Sequence, residues 1–248
     1  MWTRSELKSN AKTTFKANYW PCVLVSFIIL ICAGSSGGFG GGSNSRHSSD
    51  NFSNLGSMDE TKIAAIIAII VGAILFAFVV VMLLKIFVGN IFTVGARRFY
   101  IENQLKKASV KNLIFSFQNG RYMNTLLAMF FKNLFIGLWS LLFIIPGVIK
   151  SYSYFMVEYI IAENPNINRD RAFEISMKTM DGQKWDTFVL DLSFIGWGIL
   201  SCFTCGILSI FYVSPYIDST KAQLYLTLRN KAIDSGIATT EELIGINC

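Results

Sequence analysis

The run IAAIIAIIVGAILFAFVVVMLLKIFV, residues 63–88, carries a single charge, Lys85. About 20 apolar residues cross the hydrocarbon of a bilayer as a helix, whereas a soluble helix keeps a polar face at 3.6-residue spacing. This run has no polar face, so it fixes the solvent before it fixes the fold. Inside lipid the backbone has to satisfy its own hydrogen bonds, which makes the segment helical. The rest of the chain is of the same kind: 52% of its 248 residues are hydrophobic and 15% charged, against about a quarter charged in soluble domains. That leaves no room for a sizeable soluble domain.

Apolar runs separated by polar connectors place spans at 19–33, 63–88, 124–145, 147–162, 187–203 and 207–227. The start, MWTRSELKSNAKTTFKANYWPCVLVSFIILICAGSSG, partly resembles a cleavable signal, but its basic region is long. Lys8, Lys12 and Lys16 at spacing four share one face, which predicts a basic amphipathic helix over 1–18 on the membrane surface, followed by an uncleaved first span.

Charge sets the orientation. Segments 1–18, 89–123, 163–186 and 228–248 hold four, six, four and two Lys or Arg residues, and the opposite connectors hold only Arg46 and Lys62. The positive-inside bias puts the richer set in the cytoplasm. The expected fold is all-α: a polytopic membrane helix bundle of about six transmembrane helices in three hairpins, N- and C-termini cytoplasmic. A Gly/Ser-rich outer loop occupies 34–62 and a basic connector 89–123. An amphipathic helix lies within 163–186, and a tail over 228–248. The formal charge of +6 suits a face meeting anionic inner-leaflet lipids and requires no nucleic acid.

Keeping 89–123 and 163–186 on one side demands two spans between them, so LLFIIPGVIKSYSY must reverse. Pro146-Gly147 is the turn signal there, although proline also kinks membrane helices without turning them. Thr204-Cys205-Gly206 is expected to turn the last pair. Residues 34–57 are too poor in apolar side chains to offset their ordering entropy and read as a spacer. In NINRDRAFEISMKTMDG, Asn168 is a candidate N-cap and Gly182 a left-handed stop; Ala172, Ile175, Ser176, Thr179 and Met180 share a face.

The strings LWSLLFIIPGVIKSYSYFMVEYIIAENPNI, MDGQK and FVLDLSFIGWGILSCFTCGILSIFYVSPY, with WTRSELKSNAK and GARRFYIEN, resemble a bacterial integral-membrane family known as domain of unknown function 975. The resemblance implies a multi-pass protein of a bacterial cytoplasmic membrane and no recognised catalytic motif.

The residues also argue against catalysis. His47 is the only histidine, so neither a histidine triad nor a multi-histidine metal site can be assembled. The C-x-x-C of Cys202 and Cys205 falls at a hairpin, away from any thioredoxin-like setting. No enzyme activity, cofactor or metal is expected. The sharper signal is ionisable residues inside spans, which are costly there and usually face the bundle interior or a water-filled cavity. Lys85, Lys132, Glu158, Asp191, Asp218 and Lys221 all fall in the inner half and form a candidate polar cavity, with Asp191 and Lys132 the expected pair. The plainer reading is that the lysines snorkel and the carboxylates only set depth. Two functions follow: binding or translocation of a lipid, peptide or other amphiphile through that cavity, or a scaffold, immunity or assembly role in which the 168–181 helix and basic segment 97–121 dock a protein partner or a second copy.

Overall fold

A computed structural model describes residues 2–32, 60–106, 108–114, 122–204 and 206–243. Every element among them is helical. The expectations for the Gly/Ser loop up to residue 59, His47, Lys107, Arg121, Cys205 and Cys248 lie outside the described residues.

Helix α1 (Arg4–Ala17) starts at a capping box in TRSE: the Thr3 hydroxyl accepts the Glu6 N–H at 3.4 Å. Leu7, Ala11 and Phe15 are its buried face, while Lys12 and Lys16 stay exposed. The chain then bends by 101° into α2 (Tyr19–Cys32). Buried Asn18 holds the corner, its amide donating to Asn103 Oδ1 at 2.8 Å and to the Ala108 carbonyl at 3.3 Å. An amphipathic helix at a right angle to an apolar one is the geometry of a surface helix feeding a span.

Helix α3 (Glu60–Leu84) runs through a π-turn, Lys85–Gly89, straight into α4 (Asn90–Leu105). Its first half is exposed and apolar over Ile66–Val81, and its second half is buried on most faces. Within the segment read as a basic connector, 89–123, residues 90–105 are a central core helix. Arg97 and Arg98 suggested water, but Glu158 and Asp218 neutralise Arg97, and Arg98 pairs with Glu102 one turn on. The Val110–Ile114 turn presses on the same helix at Gly95, where a Cβ would lie 2.8 Å from Leu113 Cα.

Helices α5 (Tyr122–Leu142) and α6 (Ile144–Ser153) form the expected hairpin, with the break in a different place. The chain leaves helical geometry at Phe143, φ −154° and ψ 139°, while Pro146 and Gly147 sit inside α6. Proline is tolerated in a first turn because its missing N–H has no intrahelical partner to lose. Gly147 is there for contact: a Cβ would come within 2.7 Å of Ser140 Cα on α5.

Helix α7 (Val157–Glu163) is buried throughout. In α8 (Arg169–Met180) the Asn168 side chain accepts the Asp170 N–H at 2.8 Å, and Gly182 follows with φ +70°. The face shared by Ala172, Ile175, Ser176, Thr179 and Met180 is the buried one. Then come α9 (Lys184–Leu192), α10 (Ile195–Phe203), a turn with Gly206 at φ +81°, a π-turn at Ser209–Val213, α11 (Ser214–Asp234) and the short α12 (Thr240–Leu243).

The core lies among α1, α4, α7, α8 and α11, with Phe15, Phe99, Tyr100, Tyr159, Ile175 and Tyr225 fully buried. Large apolar side chains are exposed along α2, α3, α5, the start of α6 and α10, as in Phe76, Leu141, Ile144 and Phe203. Among the described residues, Tyr122–Leu142 and Lys184–Phe203 are long and apolar enough to cross a membrane; α1 with α2 would make a third only as one broken span.

Candidate functional site

Five of the six residues expected within spans are engaged in ion pairs, and Arg97 joins two of them, Glu158 and Asp218. Arg97 on α4 donates from Nε to Glu158 Oε1 at 3.1 Å and from Nη1 to Asp218 Oδ1 at 2.7 Å. Lys132 on α5 reaches the other Glu158 oxygen at 3.2 Å. Lys221, one turn beyond Asp218 on α11, pairs with Asp191 of α9 at 3.3 Å. The expected Asp191–Lys132 pair is therefore not formed: each has a nearer partner of opposite sign. Lys85 stays out, exposed on the π-turn.

Hydroxyls complete the network. Tyr152 donates to Asp191 Oδ2 at 3.1 Å, and Ser26 to Asp218 Oδ2 at 3.3 Å while sharing a 2.6 Å bond with Tyr100. Every carboxylate oxygen of the three acids has a partner, and the three cations balance the three anions. The Tyr159 hydroxyl, buried beside them, has no partner among the described residues. The arrangement is a neutral brace in two parts, one across α2, α4, α5, α7 and α11 through Arg97 and one across α6, α9 and α11 through Asp191. It has the charges foreseen for a cavity, spent on one another.

Open space lies elsewhere. A cleft of about 830 Å³ is bounded by Trp2 of the N-terminus, Gln104 at the end of α4, Gln183 and Asp186 at the start of α9, and Gln223, Arg229 and Lys231 along α11. A smaller pocket of about 180 Å³ shares Trp2, Gln223 and Thr227 with it. Trp2 is held between them by its indole N–H, which donates to Gln183 Oε1 at 3.0 Å. None of the six in-span residues lines either space.

The cleft floor is tied to the brace. Arg229 and Tyr225 both bind the fully buried Glu163 carboxylate, each at 2.5 Å. Burial pushes the Glu163 carboxyl up, against the opposing pull of Arg229 and of the Tyr225 hydroxyl. Tyr225 stacks on Tyr159 at 5.0 Å, and the Arg97 guanidinium lies 5.2 Å from the Tyr159 ring centre. Arg97, Glu163 and Arg229 were not among the sequence candidates. They fall in segments whose polarity suggested water, and their ion-pair partners are 61 or more residues away, beyond any local spacing.

A second polar knot closes the chain's end: Arg171 binds Glu242 at 2.8 Å, Glu174 at 2.9 Å and the Ile237 carbonyl at 2.9 Å. With the Thr239 N–H also donating to it, the Glu242 carboxyl is lowered to about 2, the Arg171 hydrogen bonds being the main cause. Cys202 is exposed and, among the described residues, unbonded.

Among the described residues, fold and site define an all-helical protein with two helices of membrane length and apolarity and a neutral, largely buried charge network. Residues 141–232, which carry Glu158, Asp191, Asp218 and Lys221, match the model of the family described as Protein of unknown function (DUF975). No curated protein and no solved structure matches the chain.

Proposed function

We propose that this chain is a multi-pass protein of a bacterial cytoplasmic membrane, with six spans and both termini inside, that binds an inner-leaflet amphiphile without transforming it. Contiguous exposed apolar surface on α2, α3, α5, α6 and α10 supports the membrane assignment, since such surface in water would drive association. The 101° corner between α1 and α2 and the charge asymmetry of the connectors support the orientation.

The observation that carries the binding role is the separation of charge from space. The in-span ions neutralise one another, whereas the 830 Å³ cleft, within the range of ligand pockets, is lined by amides, an indole, both signs of charge and two leucines. Amphiphile binding therefore moves from the in-span residues to this cleft. The scaffold alternative loses support, because the apolar face of 168–181 is buried in the bundle and Arg171 is engaged by Glu242 and Glu174.

The test is native mass spectrometry of the full chain released from mild detergent, comparing parent, Gln223→Trp and Lys132→Met. A retained lipid mass that disappears on filling the cleft and persists in the folded Lys132 variant supports the assignment. Equal retention in parent and Gln223→Trp, or no retained lipid in the parent, overturns it.

A further inference from the structure

We propose that the cleft recognises a zwitterionic headgroup, a phosphate ester carrying a primary ammonium, supplied by a membrane lipid; this rests on the amphiphile reading above. The wall carries Arg229 and Lys231 against Asp186 and Asp234. A purely anionic headgroup would be drawn to the first pair and repelled by the second, whereas a group bearing both signs satisfies both.

Three of these charges, Lys231, Asp186 and Asp234, are uncommitted in a neighbourhood where others are taken. Nearby on α8 and α9, Lys178 pairs with Glu174 and Lys184 with Asp181. Among the described residues, Lys231, Asp186 and Asp234 form no ion pair, while Arg229 is held by Glu163 and by Asn230 Oδ1 at 3.4 Å. The Gln104 carbonyl oxygen is buried behind the same wall and has no partner among the described residues, its amide nitrogen being spent on the Ser219 carbonyl. An orphaned buried acceptor wants a donor. A primary ammonium has three N–H bonds to offer the two aspartates, and a quaternary one has none.

Depth favours a lipid source. Trp185 is 72% exposed beside Asp186, and exposed tryptophan marks the headgroup level of a bilayer.

The full chain is incorporated in nanodiscs holding equal phosphatidylethanolamine, phosphatidylcholine and phosphatidylglycerol, and the lipid that stays bound on ejection is weighed, with thermal melting to confirm folding. Ethanolamine lipid should exceed each of the others by about tenfold, the effect of one charge-assisted contact. Lys231→Glu should lower its retention by a similar factor, and Asp234→Lys should shift preference to the glycerol lipid. Preference for the glycerol lipid in the parent overturns the zwitterion and leaves the amphiphile reading standing; choline and ethanolamine lipids held equally overturn the ammonium contact. Displacement by millimolar soluble phosphoethanolamine keeps the headgroup chemistry and overturns the lipid source. Retention of no lipid at all overturns both proposals.

Discussion

Removing the arginine at the centre of the brace is the most informative single change. Arg97 is nearly fully buried and is shared by Glu158 and Asp218. In Arg97→Met, Glu158 keeps Lys132, but Asp218 keeps only the Ser26 hydroxyl, and the network goes from neutral to one excess negative charge. Stranding a buried carboxylate costs about 3–5 kcal/mol, whereas exchanging a whole ion pair for neutral groups of like size is close to neutral. The double variant Arg97→Met/Asp218→Asn restores balance, with two cations facing two anions. It should therefore recover about 2 kcal/mol or more of the loss. The assay is reversible unfolding in mixed micelles followed by tryptophan fluorescence, run as a double-mutant cycle. A single variant within about 1 kcal/mol of the parent, or a double variant no better than the single, would refute the brace.

Other consequences follow from particular contacts. Gly95→Ala drives a Cβ into the Leu113 backbone and Gly147→Ala drives one into Ser140 on α5; each should cost about 1–3 kcal/mol in the same unfolding assay, from overpacking. Asn168→Ala removes the bond to the Asp170 N–H and should cost about 1 kcal/mol, with faster amide exchange confined to the first turn of α8. Glu242 has its folded pKa lowered from 4.5 to about 2, so the unfolded chain binds more protons across that interval. Its contribution is present above the upper value and lost as pH falls toward the lower one. Proteolysis of the C-terminal turn should accelerate from pH 5 to pH 2 in the parent and show no such rise in Glu242→Gln. Since the group is largely solvated, the effect should stay within about 1 kcal/mol.

The all-helical character and the caps of α8 were legible because they depend on local composition, a uniformly apolar run, an Asn before a helix, a Gly after it; the break between α6 and α7 inside the expected span 147–162 and the helix over 90–105 were not. Lys132, Glu158, Asp191, Asp218 and Lys221 were singled out as a candidate polar cavity because ionisable residues in an apolar run usually face the bundle interior, and the structure sets them in ion pairs instead. Which charge meets which was not legible. Arg97 lies 61 residues from Glu158 and 121 from Asp218, and only the crossing of α4 with α7 and α11 joins them. The same limit hid the cleft, whose walls come from both ends of the chain. The turn at Phe143 was misplaced for a different reason: Pro146 and Gly147 signal turns, but proline also suits a first helical turn and glycine a close helix crossing, and the structure uses them so.

The most direct test of the account is to locate the bound amphiphile. A lipid with a photoactivatable group in its headgroup would be incorporated with the full chain in nanodiscs, crosslinked, and the labelled residues mapped by peptide mass spectrometry. Label on Trp2 and on residues 223–231 is the predicted result. Label concentrated on α5 and α7 around Lys132 and Glu158, with the cleft residues unlabelled, would contradict it and return binding to the buried charges.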